Sequence, residues 1–248
     1  MAHNIVELRD RFKRLLDNLC ERYHLADHIE NEPEDLWNDW EEYDDAANDY
    51  GIWVSTGCTK FVIGDGNKDY IIKFQPPCVA NEGYDYCGRE VEIYNAAKEN
   101  GFEDKFAWTD FLFDYHFNES ICIPVYVMEW CQCSYDMIDD EMDDWHYTRF
   151  CSSTGITKGD DDAYEKYCDS RDNCDVTYSE RMMEWAYSVW GLDYNIPVDP
   201  ETDTIARFMR RMFINDIHAG NWGWCNNRLV LVDYSGYGEN YNERSINY

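Results

Sequence analysis

The stretch that most constrains the chain is Ile214-Asn-Asp-Ile-His-Ala-Gly-Asn-Trp-Gly-Trp-Cys-Asn-Asn-Arg-Leu-Val-Leu-Val-Asp-Tyr-Ser-Gly236. Two apolar runs flank Asn226-Asn227, and asparagine tolerates the positive φ that a two-residue hairpin turn demands. The spacing therefore predicts a loop followed by a β-hairpin, with strands Trp222–Cys225 and Arg228–Val232. A hairpin of that length returns Asp233 to the side of Asn221, which itself follows Asp216 by five residues. An asparagine and an aspartate converging in this way can hold Mg²⁺ on a polyphosphate, with Asp216 left to orient or deprotonate a hydroxyl.

The 248 residues allow one domain of two lobes or two small domains, and 44% hydrophobic with 17% aromatic content excludes wholesale disorder. Fifty-one acids against 21 bases give a net charge of −30. That charge argues against direct nucleic-acid binding or an anionic membrane surface as partner, since both would repel it. It permits a basic partner, a DNA-mimicking surface or simply a well-solvated one. The 11 cysteines include no Cys-x-x-Cys pair, and no signal peptide or run of 18 apolar residues is present. The expectation is a cytoplasmic protein with reduced thiols.

In residues 4–24, Ile5, Leu8, Phe12, Leu15, Leu16, Leu19 and Tyr23 recur at three- and four-residue steps. This helix suits docking onto the protein's own core, with a partner or a second copy as the alternative. Residues 30–49 are dense in acid, yet Pro33 suits a helix start and Leu36, Trp37, Trp40, Tyr43 and Ala47 make a second stripe. From Tyr50 the period becomes two. Ile52–Val54, Lys60–Ile63 and Tyr70–Phe74 are strand candidates, with Ser55-Thr-Gly-Cys-Thr59 and Gly64-Asp-Gly-Asn-Lys68 between them.

Residues 88–101 predict a helix ended by Gly101. Glu90 shares its inward face with Ile93, Tyr94 and Ala97, while Glu92 is roughly 200° away. A carboxylate on the buried side needs a cation, and Lys73 is the obvious one. Phe111–Phe113 and Val125–Glu129 can complete a five-stranded sheet. Residues 134–178 carry the acid runs 139–144 and 160–162 and read as an insertion of loops and short helices, without the spaced acids and glycine of an EF-hand. Residues 179–191 form a helix after a cap at Ser179, and a second helix from Pro200 delivers the chain to Asp216.

Taken in order, these features resemble the protein-kinase-like superfamily over residues 50 to 240. Asp216, Asn221 and Asp233-Tyr-Ser-Gly236 match its catalytic and metal-binding loops position for position. The form Asp-x-His-x-Gly-Asn is closer to aminoglycoside phosphotransferases, choline-kinase-like enzymes and phage-encoded kinases than to eukaryotic protein kinases. The resemblance implies an α+β, bilobal fold with a five-stranded antiparallel N-lobe sheet and a truncated, mostly helical C-lobe. Residues 1–48 would be a helical, acidic extension, 49–129 the N-lobe, and 130–248 the C-lobe with its acidic insertion and short tail.

The resemblance also implies ATP and Mg²⁺ as cofactors and an unnamed small-molecule or protein acceptor of the γ-phosphate. Asp216 would be catalytic base or hydroxyl orienter, and Asn221 and Asp233 the metal ligands. Lys73 would anchor phosphates, with Glu90 as its orienter. Ser55, Thr56 and Gly57 would cover the phosphates, Met128 would sit near the gatekeeper, and the backbone of Glu129–Cys131 would meet adenine. Departures accompany the match. The loop at residues 55–59 has Gly57 alone where the family has a glycine-rich pattern, Ile214-Asn215 replaces the His-Arg dipeptide of protein kinases, and only 15 residues follow Asp233. The missing substrate platform, combined with the charge of −30, motivates the alternative, a weak or inactive kinase-like binding module whose acidic surface engages or inhibits a basic partner. Acceptor and oligomeric state stay open.

Overall fold

The computed structural model describes residues 4–56, 59–80, 84–193 and 204–235. They fall into two units, Met1–Cys131 and Gln132–Tyr248. In the first unit the period-two stretches form β1 (Trp53–Thr56), β2 (Phe61–Gly64), β3 (Tyr70–Phe74), β4 (Thr109–His116) and β5 (Cys122–Glu129). All neighbours pair antiparallel, in the order β1-β2-β3-β5-β4. Gly64 lies opposite Trp53, and a Cβ there would meet the indole at 2.2 Å, so only glycine lets this ring lie flat on the ladder.

Alternation then sorts the side chains. Phe61, Ile63, Ile72, Phe74, Val125 and Val127 share one core with Leu8, Phe12, Leu16 and Leu19 of α1 (Ile5–Tyr23). The apolar stripe of the first helix is thus consumed by the protein's own sheet. Charge fixes its edge: Arg11 donates to Asp65 at 2.7 Å and to Asp69 at 2.9 Å, clamping α1 to the β2–β3 turn.

A short helix, α2 (Leu25–His28), follows α1, and the second stripe then breaks into α3 (Pro33–Asp39) and α4 (Tyr43–Tyr50) instead of running through. Trp40 leaves helical geometry at ψ 89° and donates its indole N–H to the Tyr23 carbonyl at 2.6 Å. A buried indole needs such an acceptor. The shifted phase makes Ala46, not Ala47, the fully buried alanine. After β3 come α5 (Pro77–Ala80) and α6 (Tyr86–Asn100).

The second unit is mostly helical, with α7 (Tyr135–Thr154), α8 (Ala163–Asp172), α9 (Tyr178–Val189) and α10 (Thr204–Arg211) ahead of a hairpin of β6 (Trp222–Cys225) and β7 (Arg228–Leu231). The expectation of loops and short helices over residues 134–178 is corrected here. A 20-residue helix occupies half of that stretch, capped by the Ser134 side chain and ended by Gly155 at φ 74°. Its buried residues, Ile138, Met142, Tyr147 and Cys151, are sparse among acids, which hides the stripe. Two of the acids are structural. Asp139 accepts from Tyr178 at 2.7 Å, and Asp143 accepts from Tyr167 at 2.8 Å and Arg181 at 3.0 Å. Burial alone would raise the Asp143 carboxyl, but these bonds hold it below its ordinary value.

Helix α9 begins one residue ahead of Ser179, because Thr177 and Glu180 form a capping box. Ser179 instead donates its hydroxyl to the Ile217 carbonyl at 3.1 Å, tying α9 to the loop before the hairpin. Pro200, expected to open the next helix, lies outside the described residues; Ile205, Phe208 and Met209 of α10 are buried. Among the described residues no helix is long and apolar enough to cross a membrane. The architecture is the α+β one expected, an antiparallel five-stranded sheet followed by a mostly helical unit.

Candidate functional site

In the first unit, the sheet face opposite the α1 core carries Lys73 of β3, whose register neighbours are Val62 and Tyr126. Helix α6 presents Glu90 there. Its start is fixed by Asp85, which caps the Gly88 N–H at 2.8 Å and also accepts from the Tyr126 hydroxyl; Gly101 at φ 77° ends it. Glu90 is fully buried with Ile93 and Ala97, while Glu92 is exposed. Lys73 Nζ reaches Glu90 Oε1 at 3.0 Å and Oε2 at 2.8 Å, with Met128 Sδ at 3.9 Å.

A second ammonium joins them. Lys60, the residue before β2, donates to Glu90 Oε1 at 2.7 Å and is 3% exposed, against 4% for Lys73. Sequence reading passed over Lys60 as the first residue of a strand. The signal was present in the alternation: Val62 opposes Lys73, and Lys60, two residues earlier, lies on the same face.

The segment expected to meet a base is partly committed. Met128 is buried in β5 between Ile71 and Thr109. The Glu129 N–H donates to the Trp108 carbonyl and the Trp130 N–H to the Asp69 carbonyl, both at 2.9 Å, and the Glu129 carboxylate accepts from the Trp108 N–H. Of the Glu129–Cys131 backbone expected to meet adenine, sheet pairing thus takes the N–H groups of Glu129 and Trp130. Cys131 is buried, its thiol near the Glu129 carbonyl. Ser55 sits exposed in β1; Thr56 ends that strand, its side chain outside the described ones, and Gly57 lies outside the described residues.

In the second unit the hairpin forms with the expected turn. Asn226 and Asn227 adopt φ 49° and 62°, and Trp222 pairs with Leu231. One further bond, Val232 N–H to the Asn221 carbonyl at 2.9 Å, brings the chain back beside Asn221 with Asp233 next in line. Asn221 is buried, and its side-chain N–H₂ donates to the Asp216 carbonyl at 2.8 Å. That bond assigns the amide's nitrogen end, so the Oδ1 end is the one left for a ligand. A carbonyl oxygen and a carboxylate are the hard donors Mg²⁺ takes, completed by water and phosphate oxygens. Among the described residues no cluster of three or more His, Cys, Asp and Glu could hold a metal by itself.

Asp216 keeps its carboxylate a third exposed, with His218 Nε2 3.6 Å from its Oδ1. The Gly220 N–H donates to His218 Nδ1 at 3.1 Å, which puts the proton of a neutral imidazole on Nε2, the nitrogen facing Asp216. Glycine at 220 lets the imidazole approach closely, since a Cβ there would lie 3.0 Å from His218 Cε1 and the ring would have to shift by a few tenths of an ångström. His218, part of the Asp-x-His-x-Gly-Asn form in the sequence, thus has its Nε2 beside Asp216.

No family model and no curated protein matches the sequence. Among solved structures the chain is similar to the aminoglycoside phosphotransferase APH(2")-IIia in its complex with GDP and kanamycin. Identity is 12% and the TM-score 0.28, over 74% of this chain and 66% of that one. The chain thus spans about two thirds of the length of that neighbour.

Proposed function

We propose that the chain is an ATP- and Mg²⁺-dependent phosphotransferase acting on a hydroxyl of a small molecule or protein. The observation that carries the reading is the Val232–Asn221 backbone bond, which binds Asp216, Asn221 and Asp233 to one hydrogen-bonded piece of chain. Asp216 orients the acceptor hydroxyl and takes its proton as the new O–P bond forms and ADP departs. His218 Nε2 lies 3.6 Å from that carboxylate and is its polar neighbour in the loop. Asn221 Oδ1 and Asp233 hold Mg²⁺, whose charge neutralises the phosphates. Lys73 anchors the polyphosphate, and Glu90 fixes Lys73. A chain at −30 repels ATP at long range, so binding rests on these local cations.

The test is incubation of the purified protein with γ-labelled ATP and Mg²⁺ against a lysate and a metabolite panel. A labelled acceptor is the expected result. Asp216→Asn should lower transfer by roughly 10²–10⁴-fold while sparing nucleotide binding, and Asp233→Ala should weaken Mg–ATP binding itself. Neither transfer nor hydrolysis at any Mg²⁺ or Mn²⁺ concentration would sink the reading.

The acids exposed on α7, including Asp136, Asp140, Glu141 and Asp144, favour a second reading, a kinase-like binding module for a basic partner. Mg–ATP at 100 times Kd stabilises a binder by about 2.7 kcal/mol, so an unmoved melting curve would favour the module. A cytoplasmic setting belongs to either reading; no disulfide joins the described cysteines.

A further inference from the structure

We infer that the groove between α7, α9 and β6 docks an arginine- or lysine-bearing segment of a partner protein. The inference rests on the reading of α7 as a face for a basic partner, to which it adds the place and chemistry of contact; it does not need nucleotide binding. The groove has a volume of about 570 Å³, is wide open and is walled mainly by apolar atoms. Three tryptophans line it, Trp145 from α7, Trp185 from α9 and Trp224 from β6, with Val189 one helical turn beyond Trp185. Asp140 and Glu141 line it as well, and Glu141 stands four residues before Trp145, so the two share a face of α7.

The wall is built in advance of any ligand. The Trp224 backbone exchanges two hydrogen bonds with Gln132, at 2.9 and 3.0 Å, and its indole N–H donates to Glu141 Oε2 at 3.0 Å. Trp185 is buried while Val189 is exposed, so apolar surface runs from the core out to solvent. The charge at the groove is unbalanced. Among the described residues the partner of Glu141 is that neutral indole, and the exposed Asp140 side chain makes no hydrogen bond or ion pair. Asp144, also at the groove, is already paired with Lys158 at 2.6 Å and adds no unpaired charge.

Indole faces attract cations, and the protein uses one in this way: the Arg149 guanidinium carbon lies 4.6 Å from the Trp145 ring centroid. Arg149 is itself paired with Glu184 and does not line the groove, so Trp145 remains part of the groove wall. Indoles beside unneutralised carboxylates select a cation on an apolar stem, which describes the side chains of arginine and lysine. A small-molecule site encloses most of its ligand. A wide-open groove instead suits a side chain delivered on a partner's surface, and tryptophan and arginine are the residues on which the energy of such contacts concentrates.

The experiment titrates the full chain, by calorimetry, with a short peptide alternating arginine and leucine and separately with N-acetylargininamide. The variants are Asp140→Asn with Glu141→Gln, Trp145→Ala and, as control, Asp160→Asn with Asp161→Asn, two exposed acids outside the groove. Each groove variant should bind the peptide roughly three- to thirtyfold more weakly, the range of a cation–π contact. The control pair should stay within about twofold of wild type, as isolated exposed charges do. Melting curves identify a Trp145→Ala protein that fails to fold, in which case the exposed Asp140 and Glu141 pair decides. If the control pair weakens the peptide as much as the groove pair does, overall charge binds it; the groove inference is then overturned while the basic-partner reading stands. If N-acetylargininamide binds as tightly as the peptide, the occupant is a small cation and the inference is overturned. A wild-type chain that binds no peptide overturns the inference and the basic-partner reading together.

Discussion

Glu90 and Asp216 are both acids singled out for the same chemistry, yet their surroundings are opposites. The Glu90 side chain is 1% exposed and carries two ammoniums on a rigid sheet-and-helix frame; that of Asp216 is 33% exposed and rides on a loop. The first centre is held by charge. The second is held by backbone: the Asn221 side chain on the Asp216 carbonyl, Val232 on the Asn221 carbonyl, Ser179 on the Ile217 carbonyl. A group that must keep a cation in one place gains from burial and from a partner that cannot move. A group that must meet an incoming hydroxyl has to keep its oxygens accessible, so its position is fixed through the main chain instead.

The contrast breaks most sharply at Glu90. Replacing it by Gln removes the shared carboxylate from two buried lysines, and breaking a buried ion pair in this way costs about 3–5 kcal/mol. Asp216→Asn changes an accessible side chain and should stay within about 0.5 kcal/mol of wild type. Urea unfolding of the two variants checks the difference. Equal stabilities would mean that the two centres are not built differently.

The hairpin turn comes next in size. Asn227 sits at φ 62°, where a β-branched residue is strained by roughly 1–2 kcal/mol, so Asn227→Val should lose about that much stability and Asn227→Gly almost none. If the second centre depends on backbone, Asn227→Val should also weaken Mg–ATP binding although it touches no ligand. An unaltered Kd in a folded Asn227→Val protein would show that Asp233 is held some other way.

What was legible in the sequence follows the same division. The hairpin was readable because an Asn-Asn turn between apolar runs is a local signal, and Lys73 with Glu90 because a carboxylate on an apolar helix face demands a cation. Lys60 was not read, since its place depends on the β2–β3 register and on alternation carried two residues past Val62. The long helix α7 was hidden by acids that the sequence shows only as charge, two of which turn out to anchor Tyr178, Tyr167 and Arg181. The backbone donors of Glu129 and Trp130 carry no side-chain signature at all, so only strand pairing reveals that they are taken.

The smallest expected effect sharpens the comparison from outside the site. Around Glu90 one buried acid lies between two bases; around Arg11 one partly exposed base lies between two acids, Asp65 and Asp69. The hydrogen bonds from Arg11 are the main reason the Asp69 carboxyl sits below its ordinary 3.8, against a smaller upward pull from burial. A depressed carboxyl contributes stability that is present above the unfolded value and is lost as pH falls through the folded one. Asp69 is nearly half exposed, so solvent screening limits the whole contribution to about 1 kcal/mol or less. Arg11→Met keeps most of the apolar stem and removes the charge. It should be less stable than wild type by up to that amount near neutral pH, and the gap should close as pH drops below the carboxylate range or as salt is added. A gap that persists in acid would assign the contribution of Arg11 to its guanidinium over the Phe12 ring, 5.0 Å from the centroid, and not to the two carboxylates.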